Sequence, residues 1–165
     1  WSQGATLPPI IARRQAARID GIAQRSRQAG AEVLAGGGLF ENMGGAYYLP
    51  TLLAGVDGRN PAVCEEIFGP VLTIQAFDNE EQALTLAERD TYGLAAGLHT
   101  ADLNRTLRIV RRPETGTAWV NRYGRSNDNI LPTGGYKRSG IGKDLGREAF
   151  VANLRFTRLL IDIDG

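Results

Sequence analysis

The chain has 165 residues, enough for one domain of ordinary size that buries roughly 70% of its unfolded surface. Nineteen basic residues against eighteen acidic ones leave a formal net charge of +1, which argues against nucleic acid as the main partner. The apolar runs fall far short of the ~20 residues that span a bilayer, and the N-terminus lacks the basic flank and apolar core of a signal peptide. A soluble, cytoplasmic protein is expected. One cysteine forms no internal disulfide, and one histidine makes a structural metal site improbable.

Residues 1–6 form a polar lead without period, and the abrupt start suggests a longer chain cut here. Pro8 and Pro9 introduce a helix that ends at Gly30. Ala12, Ala16, Ile19 and Ala23, widened by Ile22, form its apolar stripe. Arg13, Arg14, Arg18, Arg25 and Arg27 lie mostly off that stripe and read as a solvated face rather than a nucleic-acid patch. Strands are expected at 31–35, 47–49 and 51–56, with Gly36–Gly38 forcing a turn and Pro50 marking an edge. A loop through Asp57, Asn60 and Pro61 delivers the chain to Glu65 and Glu66.

The stretch Glu65-Glu66-Ile67-Phe68-Gly69-Pro70-Val71 concentrates the chemistry. A carboxylate offers about four lone-pair sites and accepts both hydroxyls of a vicinal diol, and Phe68 suits the flank of a planar ring. Together they describe a holder for ribose and base. The same residues also fit a solvated acidic pair ahead of a turn, with Phe68 in the core.

From Val71 the pattern becomes regular: a strand to Phe77, a helix opened by Asp78 and Glu81, a strand at 94–99, a helix opened by Asp102 and a strand at 117–121. Such a β-α-β-α-β order requires parallel strands and ligands beyond their carboxyl ends, so the loops after Asn121 and near Glu66 are candidates. A polar loop, 122–133, leads into Gly134-Gly135-Tyr136-Lys137 and Gly140-Ile141-Gly142. Gly140-x-Gly142 misses GxGxxG because Gly146 follows three residues on rather than two, and Gly142-Lys143-Asp144 lacks the hydroxyl of a P-loop. Close backbone packing remains. A helix at 144–154 precedes an alternating strand at 156–163 whose two faces both carry large apolar groups, and a neighbouring subunit's edge is its expected partner.

Four strings in order, EEIFGPV, WVN, GGYKRSG and GKDLG, resemble the C-terminal part of the aldehyde dehydrogenase superfamily from about Leu7 onward. The resemblance implies an α/β fold: a three-layer sandwich with a mainly parallel sheet, forming the second half of the catalytic domain over 1–155, with 156–165 as the oligomerisation strand. It implies oxidation of an aldehyde to a carboxylic acid with NAD or NADP. Glu66 corresponds to the glutamate on the nicotinamide ribose and Phe68 to the aromatic near the nicotinamide. Asn121, Arg122, Tyr123 and Arg125 belong to the loop that borders the aldehyde.

Thr133 replaces the usual aromatic before the two glycines. Trp119 is expected in the core, and His99 as an isolated surface or core residue. Arg122 or Arg125 suits an acidic substrate tail, by bidentate pairing, as well as it suits a solvated loop. Cys64 is not expected to act as nucleophile, because the flanking carboxylates disfavour its thiolate. The family's nucleophilic cysteine, general base and main coenzyme-binding segment lie upstream of the matched strings, so no catalytic residue is assigned and the chain alone is expected to be inactive. The alternative is a truncated, non-catalytic module for oligomerisation or complementation.

Overall fold

The computed structural model describes residues 7–40, 44–124 and 129–163. Its backbone gathers into two compact units, Trp1–Asn79 and Glu80–Gly165. No helix among the described residues is long and apolar enough to cross a membrane.

In the first unit, helix α1 spans Arg13–Gln28. It begins four residues beyond Pro9, because a proline permits only the first turn of a helix and Ala12 is still extended. The apolar stripe is buried as its period requires: Ala16, Ile19, Ile22 and Ala23, continued by Ser26. Strand β1, Glu32–Ala35, pairs antiparallel with β2, Thr51–Ala54, through a bulge between Val33 and Ala35. After β2 the chain crosses through a one-turn helix, α2, Pro61–Cys64, and returns as β3, Val71–Thr73, parallel to β2. The pairing sets Thr51 against Val71 and Leu53 against Thr73. The run at 47–49 contributes only a single bridge, from Tyr48 to Leu39, consistent with Pro50 ending it.

The core of this unit lies between α1, β2 and α2: Ile19, Ile22, Leu53, Tyr48, Ala62 and Ile67. A buried polar latch joins the two helices. The Ser26 hydroxyl donates to the Ile22 carbonyl at 2.8 Å and accepts from the Ala62 N–H at 2.9 Å, while the Asn60 amide donates to the Ser26 carbonyl at 3.1 Å. Asn60 also caps α2 by accepting from Ala62 N–H. Sequence periodicity reads 57–64 as a loop, because four residues are too few to show a helical period.

Tyr48, 6% exposed, donates to an Asp20 carboxylate oxygen at 3.4 Å. Burial, and then the negative charge of Asp20, push its phenol up to about 12 from 10.0. A raised folded value means that the fold retains the proton more tightly than the open chain does. The stabilisation is whole below pH 10 and is lost as pH rises toward about 12. An ultraviolet titration is expected to show one tyrosine ionising with a midpoint near 12. The corresponding stability loss is expected to vanish in Tyr48→Phe.

The second unit opens with α3, Glu80–Ala87, followed by β4, Tyr92–Gly93, and β5, Ala95–Leu98. Helix α4, Leu103–Ile109, then carries the chain to β6, Thr117–Val120, which lies parallel to β5 with Ala95 opposite Thr117 and Leu98 opposite Val120. This is the second half of the expected β-α-β-α-β run; the strand expected to open that run, β3, pairs with β2 instead and belongs to the sheet of the first unit. Asp102 caps α4 by accepting from Arg105 N–H at 3.0 Å, and that bond holds its carboxyl below the usual range. Strand β7, Tyr136–Lys137, pairs antiparallel with β4, and α5 spans Gly146–Ala152. Arg105 and Arg108 both reach Glu80, and the Arg108 bond holds the Glu80 carboxyl low.

Leu84 is the one buried hydrophobic side chain among the described residues of this unit. Backbone-to-backbone packing at glycines compensates. A Cβ on Gly116 would overlap the carbonyl of Gly134, one on Gly134 the carbonyl of Gly142, and one on Gly93 the carbonyl of Glu114. Gly93, Gly116 and Gly134 therefore let backbone segments from four parts of the unit, around 93, 114–116, 134 and 142, touch.

Residues 156–163 form no ladder with the other described residues, and the partner expected for them is the edge of a neighbouring subunit. They run exposed, Leu160 at 93% and Ile163 at 86%. The physical reason is that alternation specifies two faces, whereas a ladder also requires a neighbouring edge.

Candidate coenzyme and substrate sites

The first candidate site is the turn between α2 and β3. Glu65 leaves α2 in an extended conformation, and Ile67, 8% exposed, is sunk into the core. Its neighbours on either side are left outside: Glu66 is exposed and Phe68 is 77% exposed. Phe68 occupies left-handed backbone space at φ 57°, a strained choice for an aromatic residue. Gly69 follows because a side chain there would run into Ile19 of α1. The Pro70 carbonyl then accepts from Thr51 N–H at 2.8 Å and starts the parallel ladder.

The two adjacent carboxylates differ in what they do. Glu65 is paired with Arg25 at 2.7 Å. The Glu66 carboxylate has no hydrogen-bond or ion-pair partner among the described residues. The backbone of this turn is heavily held. Arg18 donates to the Glu66 carbonyl at 2.8 Å and to the Ile67 carbonyl at 2.9 Å, and Gln15 reaches the Ile67 and Phe68 carbonyls at 3.4 Å. By its place off the apolar stripe Arg18 reads as part of a solvated face. Its only local signal is that Gln15 and Arg18 lie three residues apart on one side of α1. The turn precedes β3 and so sits at that strand's amino end, not at the carboxyl end that parallel topology favours. Cys64 is exposed, its thiol directed to the Gly58 carbonyl at 3.1 Å.

The second candidate site lies at the carboxyl end of β6. Asn121 adopts φ 55°, and its side chain extends the β5–β6 ladder: the amide donates to the Thr100 carbonyl and accepts from Thr100 N–H, both at 2.8 Å. Its backbone N–H donates to Leu98 at 2.8 Å. These bonds make Asn121 the anchor of the following loop. Tyr123 is 82% exposed and meets Trp119 edge-on, ring centroids 5.0 Å apart at 63°. Arg122 is exposed, and Arg125 lies outside the described residues.

Trp119, expected in the core, is only partly buried, because it lines a cavity of about 280 Å³ with Leu94, Thr117, Tyr123, Leu131 and Leu145. Thr133 also lines it, held by paired backbone bonds to Asp144 at 2.7 Å each. The lining is mainly apolar, with Thr117, Asn129 and Thr133 as its polar side chains. His99 is exposed.

The chain is thus an α/β protein with parallel and antiparallel ladders, a turn whose Glu66 carboxylate has no partner among the described residues and whose Phe68 ring is exposed, and a mainly apolar cavity running along β6. Residues 2–158 match the aldehyde dehydrogenase family. A betaine aldehyde dehydrogenase from Rhizobium etli (strain CIAT 652) is 37% identical over 144 residues, covering 86% of this chain and 29% of that protein. The crystal structure of a Mycobacterium tuberculosis aldehyde dehydrogenase complexed with NAD+ aligns with a TM-score of 0.82 at 38% identity, over 88% of this chain and 30% of that one. A betaine aldehyde dehydrogenase from Staphylococcus aureus in complex with NAD+ aligns with a TM-score of 0.86 at 30% identity, over 92% and 30%. This chain belongs to the aldehyde dehydrogenase family. It spans about 30% of the length of these relatives.

Proposed function

We propose that this chain is the C-terminal part of an NAD(P)-dependent aldehyde dehydrogenase that oxidises an aldehyde to a carboxylic acid. Glu66 accepts the hydroxyls of the ribose next to the nicotinamide, and Phe68 stands beside the nicotinamide ring. The observation that supports this reading is the contrast between Glu65, neutralised by Arg25, and Glu66, left with unused acceptor oxygens next to an exposed phenyl ring. A carboxylate in that condition fits a diol. When bound, the coenzyme supplies the hydride acceptor.

The rest of the chain's part is positioning. Asn121 anchors the loop in which Arg122, Tyr123 and Arg125 border the aldehyde, and the cavity beside Trp119 takes its carbon chain. We assign the nucleophilic thiolate and the general base to another segment of the same polypeptide, since Cys64 stands two residues from Glu66, on the turn assigned to the ribose, with its thiol directed to the Gly58 carbonyl at 3.1 Å. Residues 1–155 then belong to the catalytic domain. Residues 156–165 form the strand that pairs with another subunit, a role that suits the exposed apolar groups on both faces of 156–163.

The test is the coenzyme reduction assay. The complete gene product is expected to form NADH or NADPH only when aldehyde is present, and the 165-residue chain alone is expected to form neither. Aldehyde turnover by the isolated chain, or none by the complete protein with either coenzyme, contradicts the proposal.

A further inference from the structure

We infer that Arg18 is a positioning residue for the coenzyme site, acting through the backbone of the Glu66 turn rather than by touching the coenzyme. The inference rests on the assignment of Glu66 to the ribose. Its guanidinium spans two successive carbonyls, those of Glu66 and Ile67, at 2.8 and 2.9 Å. Those carbonyls belong to the peptide planes on either side of Ile67, and the two planes fix the directions in which Glu66 and Phe68 leave the chain. A planar fork satisfies both at once, whereas an ammonium group is a single point charge.

The turn needs such a clamp. Phe68 holds a left-handed conformation at φ 57°, and Gly69 is pressed against Ile19 one residue later. Ile67 is the one buried residue of the turn between Glu65 and Pro70. Gln15, one helical turn before Arg18, adds contacts to the Ile67 and Phe68 carbonyls at the longer distance of 3.4 Å. Helix α1 is itself fixed by its buried stripe, so Arg18 transfers the rigidity of α1 to a turn that lies 48 residues further along the chain.

A double-mutant cycle in the complete protein tests this. Arg18→Met, which keeps the stem and removes the fork, is expected to raise the coenzyme KM about tenfold. The aldehyde KM is expected to stay unchanged, which a general loss of structure would not allow. Arg18→Lys is expected to fall between wild type and Arg18→Met, and it carries the test if Arg18→Met fails to fold. In combination with Glu66→Gln, either Arg18 variant is expected to add nothing to the effect of Glu66→Gln alone. If the Arg18 variants leave the coenzyme KM unchanged while Glu66→Gln raises it, or if the two effects multiply, the clamp is wrong and the Glu66 assignment stands. If Glu66→Gln itself changes nothing, that assignment falls and the clamp with it.

Discussion

Gly116→Ala is expected to unfold the 80–165 unit at ambient temperature or to leave it marginal. The alanine methyl would sit inside the contact radius of the Gly134 carbonyl, with the Gly134 carbonyl carbon and the Gly135 Cα close behind. None of these is the end of a flexible side chain. Backbone must move, and the backbone in question also carries the β4–β7 pairing and the bond from Gly116 N–H to Gly93. A unit whose described residues bury only Leu84 among their hydrophobic side chains has little else to draw on. A loss of roughly 3–5 kcal/mol is expected, at the exceptional end for single substitutions. Gly142→Ala is the control. Nothing lies within 4 Å of the added methyl, so denaturant midpoints should separate the two variants widely. Equal midpoints would show that these glycines do not mediate backbone contact.

The second large effect is expected from Glu66→Gln in the complete enzyme. Replacing the carboxylate by an amide removes the charge from the acceptor and turns half of it into a donor. Hydrogen bonds to charged groups contribute about 1.5–3 kcal/mol, which corresponds to a loss of about 10- to 150-fold in kcat/KM for the coenzyme. Glu65→Gln provides the comparison next door. Its partner, Arg25, lies at 51% side-chain exposure and the pair is worth little, so coenzyme kinetics should be unaffected. A response from Glu65 in place of Glu66 would invert the assignment.

Much of the architecture can be read directly from residue spacing. The burial of Ala16, Ile19, Ile22 and Ala23 follows from a 3.6-residue period, and the helix after Asp102 follows from its cap. What escapes a reading of spacing has no period to reveal it. Helix α2 is a single turn, and the β4–β7 ladder is two residues long, set by glycine contacts rather than by side-chain pattern. Alternation at 156–163 specifies two faces but no partner edge, and these residues form no ladder with the other described residues.

The candidate site divides in the same way. Glu66 and Phe68 are conspicuous as residue types, yet nothing local separates Glu66 from Glu65. Only the fold shows that Arg25 neutralises one of them. Arg18 looks like any arginine on a solvated helix face until the chain folds back and brings two carbonyls to it. Asn121 stands where a substrate contact is expected, but its amide is committed to Thr100. In each case the deciding partner lies at least 20 residues away in sequence.

The most direct test is a crystal structure of the complete protein with its nicotinamide coenzyme bound. A Glu66 carboxylate oxygen is expected about 2.6–3.2 Å from a hydroxyl of the nicotinamide ribose, with the Phe68 ring against the nicotinamide side of the coenzyme. A structure in which Glu66 turns to solvent or to an arginine, and the ribose hydroxyls are held by other residues, would contradict it.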